Sequence, residues 1–247
     1  MKKLSVVFLI LVLLAQPVSA QITSAIVWKG EVRGTFGTAN AGAGLGVVTD
    51  GELVLATGFA NGPLHVWDRH GAPLLGWGVF VESHGAGYAT LDDFVASNQG
   101  NEVFVGHYLD ITAPENGTRL GVFDPYSGEA LGVTRTITDG SYLDNPPASL
   151  TWRSGEKAVC LGLHGSGLHC FAATEMRELL HFSIPTSHPE VQTPVVADID
   201  NDGQPELFFI ATTDDFGLVS LYGINQRNEL LAGYPVTWSR GVDTPRV

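Results

Sequence analysis

The densest chemistry in the sequence is one short run, Asp198-Ile199-Asp200-Asn201-Asp202-Gly203-Gln204-Pro205-Glu206. Three carboxylates stand at alternate positions, a glycine follows, and a fourth carboxylate closes the run. A hard cation that takes six to eight oxygen ligands suits such a set, which describes calcium better than magnesium or zinc. Asp198, Asp200 and Asp202 offer side-chain oxygens, Gln204 its backbone carbonyl, and Glu206 a further carboxylate. Gly203 permits the sharp turn that gathers them. A helical loop of the EF-hand type would need a bidentate Glu at its twelfth position, where this chain has Phe209. The flanks, Pro194-Val195-Val196 and Leu207-Phe208-Phe209-Ile210, are β-type apolar runs, so the loop is expected to join two strands. An acidic surface turn is the plainer alternative, since Asp and Gly are common turn formers. A turn alone, however, needs no carboxylates at regular spacing.

From Thr193 to Pro235 the chain resembles the FG-GAP/VCBS-type repeat of secreted β-propellers, with an integrin-alpha-like calcium loop. In that family a D-x-D-x-D-G-x-x-[DE] loop links the first two strands of a blade, and a G-W/Y-P ending follows the last. Gly233-Tyr234-Pro235 matches the ending. The resemblance implies a calcium ion with a structural role, and protein or carbohydrate partners at a cell surface.

The elements that must position this loop recur along the chain. A Glu precedes an apolar strand at Glu52, Glu102, Glu156 and Glu206, spaced 50, 54 and 50 residues apart. A second strand follows each and ends near an aromatic: Trp67, Phe123, Phe171 and Tyr222. A third signal comes after a turn, at Leu74-Leu75-Gly76-Trp77, Ala130-Leu131-Gly132, Leu179-Leu180-His181-Phe182 and Leu230-Leu231-Ala232-Gly233-Tyr234. A unit of about fifty residues with four short strands fits a propeller blade. The expected fold is therefore all-β, a propeller of about four four-stranded blades at roughly 43–82, 83–140, 141–190 and 191–240. Residues 241–247 would begin a fifth, because Asp243-Thr244-Pro245-Arg246-Val247 echoes Thr193-Pro194-Val195. Ring closure would come from the segment 21–42, through Ala25-Ile26-Val27-Trp28, or from further repeats in a longer protein, and the in-phase ending favours the latter. The recurrent aromatic is expected to pack between blades. Only the fourth repeat keeps the calcium loop whole. The first has Thr49-Asp50-Gly51-Glu52, the second a diluted version around Asp92 and Asp93, and the third Trp152-Arg153-Ser154-Gly155-Glu156.

At the start, Lys2 and Lys3 precede an apolar run, Leu4 to Ala15, and Val18-Ser19-Ala20 ends in small residues. This reads as a secretory signal over 1–20, so export to the periplasm, cell surface or medium is expected. The run is too short for a comfortable membrane span. Of 247 residues, removal of 20 leaves 227, and loss of two lysines leaves 11 basic against 26 acidic side chains, a net charge of −15. Such a surface disfavours nucleic acid and anionic lipid and favours cations or basic partners. Thirty glycines and 13 prolines agree with many short strands and turns.

Other constellations are weaker. Cys160 and Cys170 are the two cysteines, either side of His164-Gly165-Ser166-Gly167. A loop centred on Gly165 would set them face to face, whereas a two-residue Gly165-Ser166 turn would put them on opposite faces. Export permits a disulfide, and two small buried hydrophobes are the alternative. The eight histidines form no H-E-x-x-H or His-x-His pattern; His164 and His169 flank a turn and could meet, although exposed hairpin residues are the plainer reading. Gly42-Ala43-Gly44-Leu45-Gly46 lacks the strand–turn–helix setting of a dinucleotide loop, and Asn116-Gly117-Thr118 fits a glycosylation acceptor. Phe123-Asp124-Pro125-Tyr126-Ser127-Gly128-Glu129-Ala130-Leu131 resembles the A-x-D-x-x-T-G-x-x-x-W docking motif of quinoprotein-type propellers, with Ser127 at the usual Thr and Gly132 near the usual Trp. A plain inter-strand turn explains the same residues.

The expected function is an exported, calcium-binding propeller acting as a binding or scaffold module for a protein or glycan ligand. The alternatives are a propeller-type enzyme, quinoprotein-like or polysaccharide-active, and a spacer within a longer exported protein. Catalytic residues are not apparent.

Overall fold

The computed structural model describes residues 43–47, 52–59, 62–74, 87–98, 100–109, 117–138, 141–143, 145–186, 189–212 and 217–239. The expected leader (1–20), the segment 21–42, Trp77, Asn116 and the fragment 241–247 lie outside them.

Among the described residues every regular element is a strand, and the strands form four antiparallel sheets in chain order. The first holds β1 (Ala43–Val47), β2 (Leu53–Phe59) and β3 (Gly62–Trp67). The second is the meander β4 (Gly87–Asp92), β5 (Glu102–Leu109), β6 (Gly117–Phe123) and β7 (Arg135–Ile137). The third holds β8 (Tyr142–Leu143), β9 (Ala148–Thr151), β10 (Lys157–His164), β11 (Gly167–Ala172) and β12 (Glu178–Phe182). The fourth holds β13 (Glu190–Val191), β14 (Val195–Ala197), β15 (Glu206–Thr212), β16 (Leu218–Ile224) and β17 (Val236–Ser239). Strands β8 and β9 both pair with the same edge of β10, so they are one strand interrupted at Pro146-Pro147. Proline has no amide to give to a ladder. Strands β13 and β14 flank Pro194 along β15 in the same way.

Alternation along each central strand explains how the sheets stack. Val103 and Val105 of β5 pack with Val54, Ala56 and Val66 of the first sheet, while Phe104 between them packs with Val159, Leu161 and Phe171 of the third. In β10 the odd residues Val159, Leu161 and Leu163 face the second sheet. The even residues Ala158 and Cys160 face Leu207, Phe209 and Tyr222 of the fourth. A strand buried on both faces needs a continuous apolar run, which is what β5 and β10 carry. Three shared cores therefore join four sheets in sequence.

The far face of the fourth sheet has no such neighbour among the described residues. Val195, Ile210, Val236 and Trp238 are exposed there at 62, 38, 48 and 44%. Ile210 pairs with Leu221, Phe208 pairs with Val195, and the Phe208 ring meets Tyr234 edge-on at 5.7 Å.

Two expectations are refined by the register. Among the described residues, the leucine-rich third signal is a strand in the third sheet, as β12. In the second and fourth it closes a turn through a single bridge, Phe123 with Ala130 and Ile224 with Leu230, and in the first sheet Trp67 bridges Pro73 just ahead of it. The outer strands β7 and β17 begin several residues later. The loop between β10 and β11 is centred on Gly165 (φ 83°), Cys160 stands opposite Cys170, and the two form a disulfide. No helix of the described residues is long and apolar enough to cross a membrane.

Candidate metal centre

The acidic loop connects β14 to β15, with Ala197 paired to Glu206 at its neck. The chain turns back through two left-handed residues, Asn201 (φ 60°) and Gly203 (φ 84°). Asn tolerates this region better than most side chains, and glycine adopts it without a Cβ clash. Asp198, Asp200 and Glu206 each bring a carboxylate oxygen within 4.8 Å of the others. Asp198 and Asp200 are exposed, whereas Glu206 is buried at 4%. Three anionic groups this close repel one another, and a divalent cation is the natural counter-charge.

Backbone amides hold the loop in shape. Ile199 N–H donates to Glu206 Oε2 at 2.9 Å, Asp202 N–H to Asp200 Oδ1 at 3.1 Å, and Gly203 N–H to Asp198 Oδ2 at 2.9 Å. Asp202 lies outside the close trio and its Oδ1 accepts from Gln204 N–H at 2.7 Å. Gln204 itself is exposed. The residues present fit an oxygen-only cation site: Asp198, Asp200 and Glu206 converge, and Asp202 and Gln204 stand on the same loop.

A residue that sequence reasoning missed anchors this loop from outside. Gln226, 5% exposed, donates its side-chain amide to Pro205 O at 3.1 Å and accepts from Arg153 N–H at 2.6 Å. It thereby ties the end of the acidic loop to the turn Trp152-Glu156 of the third sheet. No sequence spacing marks Gln226, because both partners are distant in the chain.

The second and third repeats place different chemistry at the same neck. In the second sheet Asp92 pairs with Glu102, and Glu102 Oε2 accepts from Phe94 and Val95 N–H at 2.8 and 3.0 Å. Burial pushes the Glu102 carboxyl above its ordinary range, against the pull of those two amides. Lys157 Nζ reaches across from the third sheet to Asp92 Oδ1 at 2.8 Å. A lysine ammonium thus supplies the cation beside Asp92, and Asp93 is exposed. In the third repeat Trp152 N–H and Glu156 O close a tight turn at 2.8 Å.

The segment at Asp124 is a self-contained turn. Asp124 Oδ1 accepts from Tyr126 and Ser127 N–H at 3.0 and 2.7 Å, with Gly128 at φ 70°. Asp68 Oδ1 accepts in the same way from His70 and Ala72, and Asn225 Oδ1 from Arg227 and Glu229. Left-handed residues follow at Gly71 and Asn228. The shared feature is an Asx turn that reverses the chain after the second long strand of a sheet.

No family model matches the chain, and no curated protein matches it. Among solved structures, the crystal structure of BamB from Moraxella catarrhalis is similar to it. The identity is 14%, over 87% of this chain and 78% of that one, with a TM-score of 0.31. At that level the likeness transfers neither a function nor a partner to this chain.

Proposed function

We propose that this chain is an exported, calcium-stabilised β-propeller of the FG-GAP/VCBS kind, serving as a binding or scaffold module for a protein or glycan ligand. The observation that carries the reading is the approach of the Asp198, Asp200 and Glu206 carboxylates to within 4.8 Å of one another between consecutive strands. Asp198, Asp200 and Glu206 would hold the ion through side-chain oxygens, with Asp202 and the Gln204 carbonyl as further oxygens of the loop. The ion's role is structural, since it offsets the repulsion of carboxylates that the β14–β15 turn forces together. The stacking of consecutive meander sheets supports the propeller reading, and the exposed far face of the fourth sheet supports further sheets of the same kind beyond it. The leader at 1–20 and the disulfide support export.

Extracellular calcium modules bind at about 0.1–1 mM, so 2 mM calcium should stabilise the fold by about 1 kcal/mol. Thermal melts with calcium and with EDTA test this. We expect a rise of a few degrees with calcium, absent in Asp200→Ala. Identical melts of the parent protein in both conditions would sink the calcium reading. A binding screen against glycan arrays and surface proteins then separates a binding module from a spacer.

A further inference from the structure

A second group of ligand-type side chains lies on the third sheet, near the β10–β11 turn and at the other end of β10 from the Trp152–Glu156 turn that adjoins the acidic loop. His169 of β11 stands opposite His181 of β12, their rings stacked with centroids 4.0 Å apart. His169 Nδ1 faces Glu178 Oε1 at 2.7 Å. One nitrogen from each ring and a Glu178 oxygen all lie within 4.8 Å of one another.

Regular strand geometry would not bring these three together. Glu178 and His181 are three residues apart, an odd spacing that puts side chains on opposite faces of a strand. The β11–β12 ladder slips between Cys170 and Phe171, so that His169 pairs with His181 but Phe171 pairs with Glu178. This bulge resets the alternation and returns Glu178 to the face of both histidines. Bulges commonly re-aim a side chain in this way next to functional sites. The slip also turns Leu179 and Leu180 together toward the core shared with the fourth sheet.

The surroundings complete a supporting frame. His169 is only 6% exposed, contrary to the exposed hairpin position expected from sequence, and its other ring nitrogen, Nε2, meets Ser166 Oγ at 2.8 Å. A metal-bound imidazole characteristically engages a polar partner through its second nitrogen, which sets the ring's orientation. Phe171 stacks against the same imidazole at 6.0 Å, and the Cys160–Cys170 disulfide pins β11 to β10 one residue away. His181 and Glu178 are exposed, so the group opens to solvent on one side.

We propose that His169, Glu178 and His181 form a binding site for a borderline divalent ion of the zinc class. His169 coordinates through Nδ1, and Ser166 holds its ring. Two imidazoles with one carboxylate match zinc and its neighbours, whereas calcium takes oxygens and belongs to the acidic loop. Zinc at about 2.1 Å from each donor needs the donors roughly 3.4 Å apart. His181 and Glu178, both exposed, would rotate to make that approach. Three protein ligands leave a fourth, solvent-facing position for water or an incoming donor.

The test is calorimetric titration of Zn²⁺ into the tag-free full chain, in buffer containing 10 mM calcium so that the acidic loop is about nine-tenths filled or more. One site is expected, weakened at least tenfold in His181→Ala and in Glu178→Gln, and about tenfold in Ser166→Ala. Asp200→Ala should bind zinc like the parent, which separates this site from the calcium reading. Glu178→Gln keeps an acceptor for His169 Nδ1 and His181→Ala removes an exposed ring, so both variants should stay folded, as melts without zinc would show. Failure of the parent to bind zinc, or equal affinity in His181→Ala and Glu178→Gln, would overturn the proposal.

Discussion

At the scale of single residues, burial and not charge count decides which groups respond to conditions. His107 lies on β5, 1% exposed, with Arg119 opposite it on β6. Burial, aided by the Arg119 charge, holds its imidazole down at about 4. The unfolded chain takes up this proton near 6.5 while the folded chain resists it, so stability falls as pH drops from about 6.5 toward 4. From this group alone we expect a loss of about 2 kcal/mol between pH 8 and pH 5. Urea melts of His107→Gln should show a correspondingly flatter dependence over that interval. Gln226 makes the opposite point, being neutral and invisible to any motif. Truncation to Ala strands the Arg153 amide and the Pro205 carbonyl in a partly buried place, at a cost of about 1–3 kcal/mol. Because Pro205 ends the acidic loop, Gln226→Ala should also blunt the effect of calcium on the melt.

At the scale of elements, the strands were largely legible and their junctions were not. The four Glu-led apolar runs become β2, β5, β10 and β15, because these strands each bury at least one face between stacked sheets and are rich in apolar residues. The outer strands β7 and β17 carry few apolar residues that face a core, which left them without a periodic signal. Closeness of approach between sheets was also hidden in the sequence. Gly162 of β10 lies against the Val191 carbonyl and side chain of β13, and a Cβ there would overlap both. Gly162→Ala should therefore push the third and fourth sheets apart and cost about 1–3 kcal/mol, measured by denaturant melts. Reduction of the disulfide, or Cys160→Ala with Cys170→Ala, should cost roughly 2–4 kcal/mol. The pairing was open from sequence because it turned on the loop being centred at Gly165.

At the scale of the whole molecule, the described sheets make a row whose last face stays open. Phe208, Ile210, Val236 and Trp238 present an apolar surface where the second and third sheets bury the corresponding positions, Phe104 among them. Exposed apolar faces of this sort associate. We expect concentration-dependent self-association in sedimentation, reduced by Ile210→Lys combined with Trp238→Glu without a fall in melting temperature. A large fall in melting temperature would instead indicate that this face is covered within one chain.

The sequence by itself determined the all-β class, the fifty-residue rhythm and the singular acidic loop, because each depends on residues close together in the chain. Hydrophobic runs and alternate carboxylates need no partner to be read. Tertiary structure alone decided which carboxylates converge, that Lys157 stands beside Asp92, and that Gln226 braces the loop. It also decided that a slipped ladder gathers His169, Glu178 and His181. These depend on register between strands and on contact between sheets, and a shift of one residue in either sends every side chain to the other face.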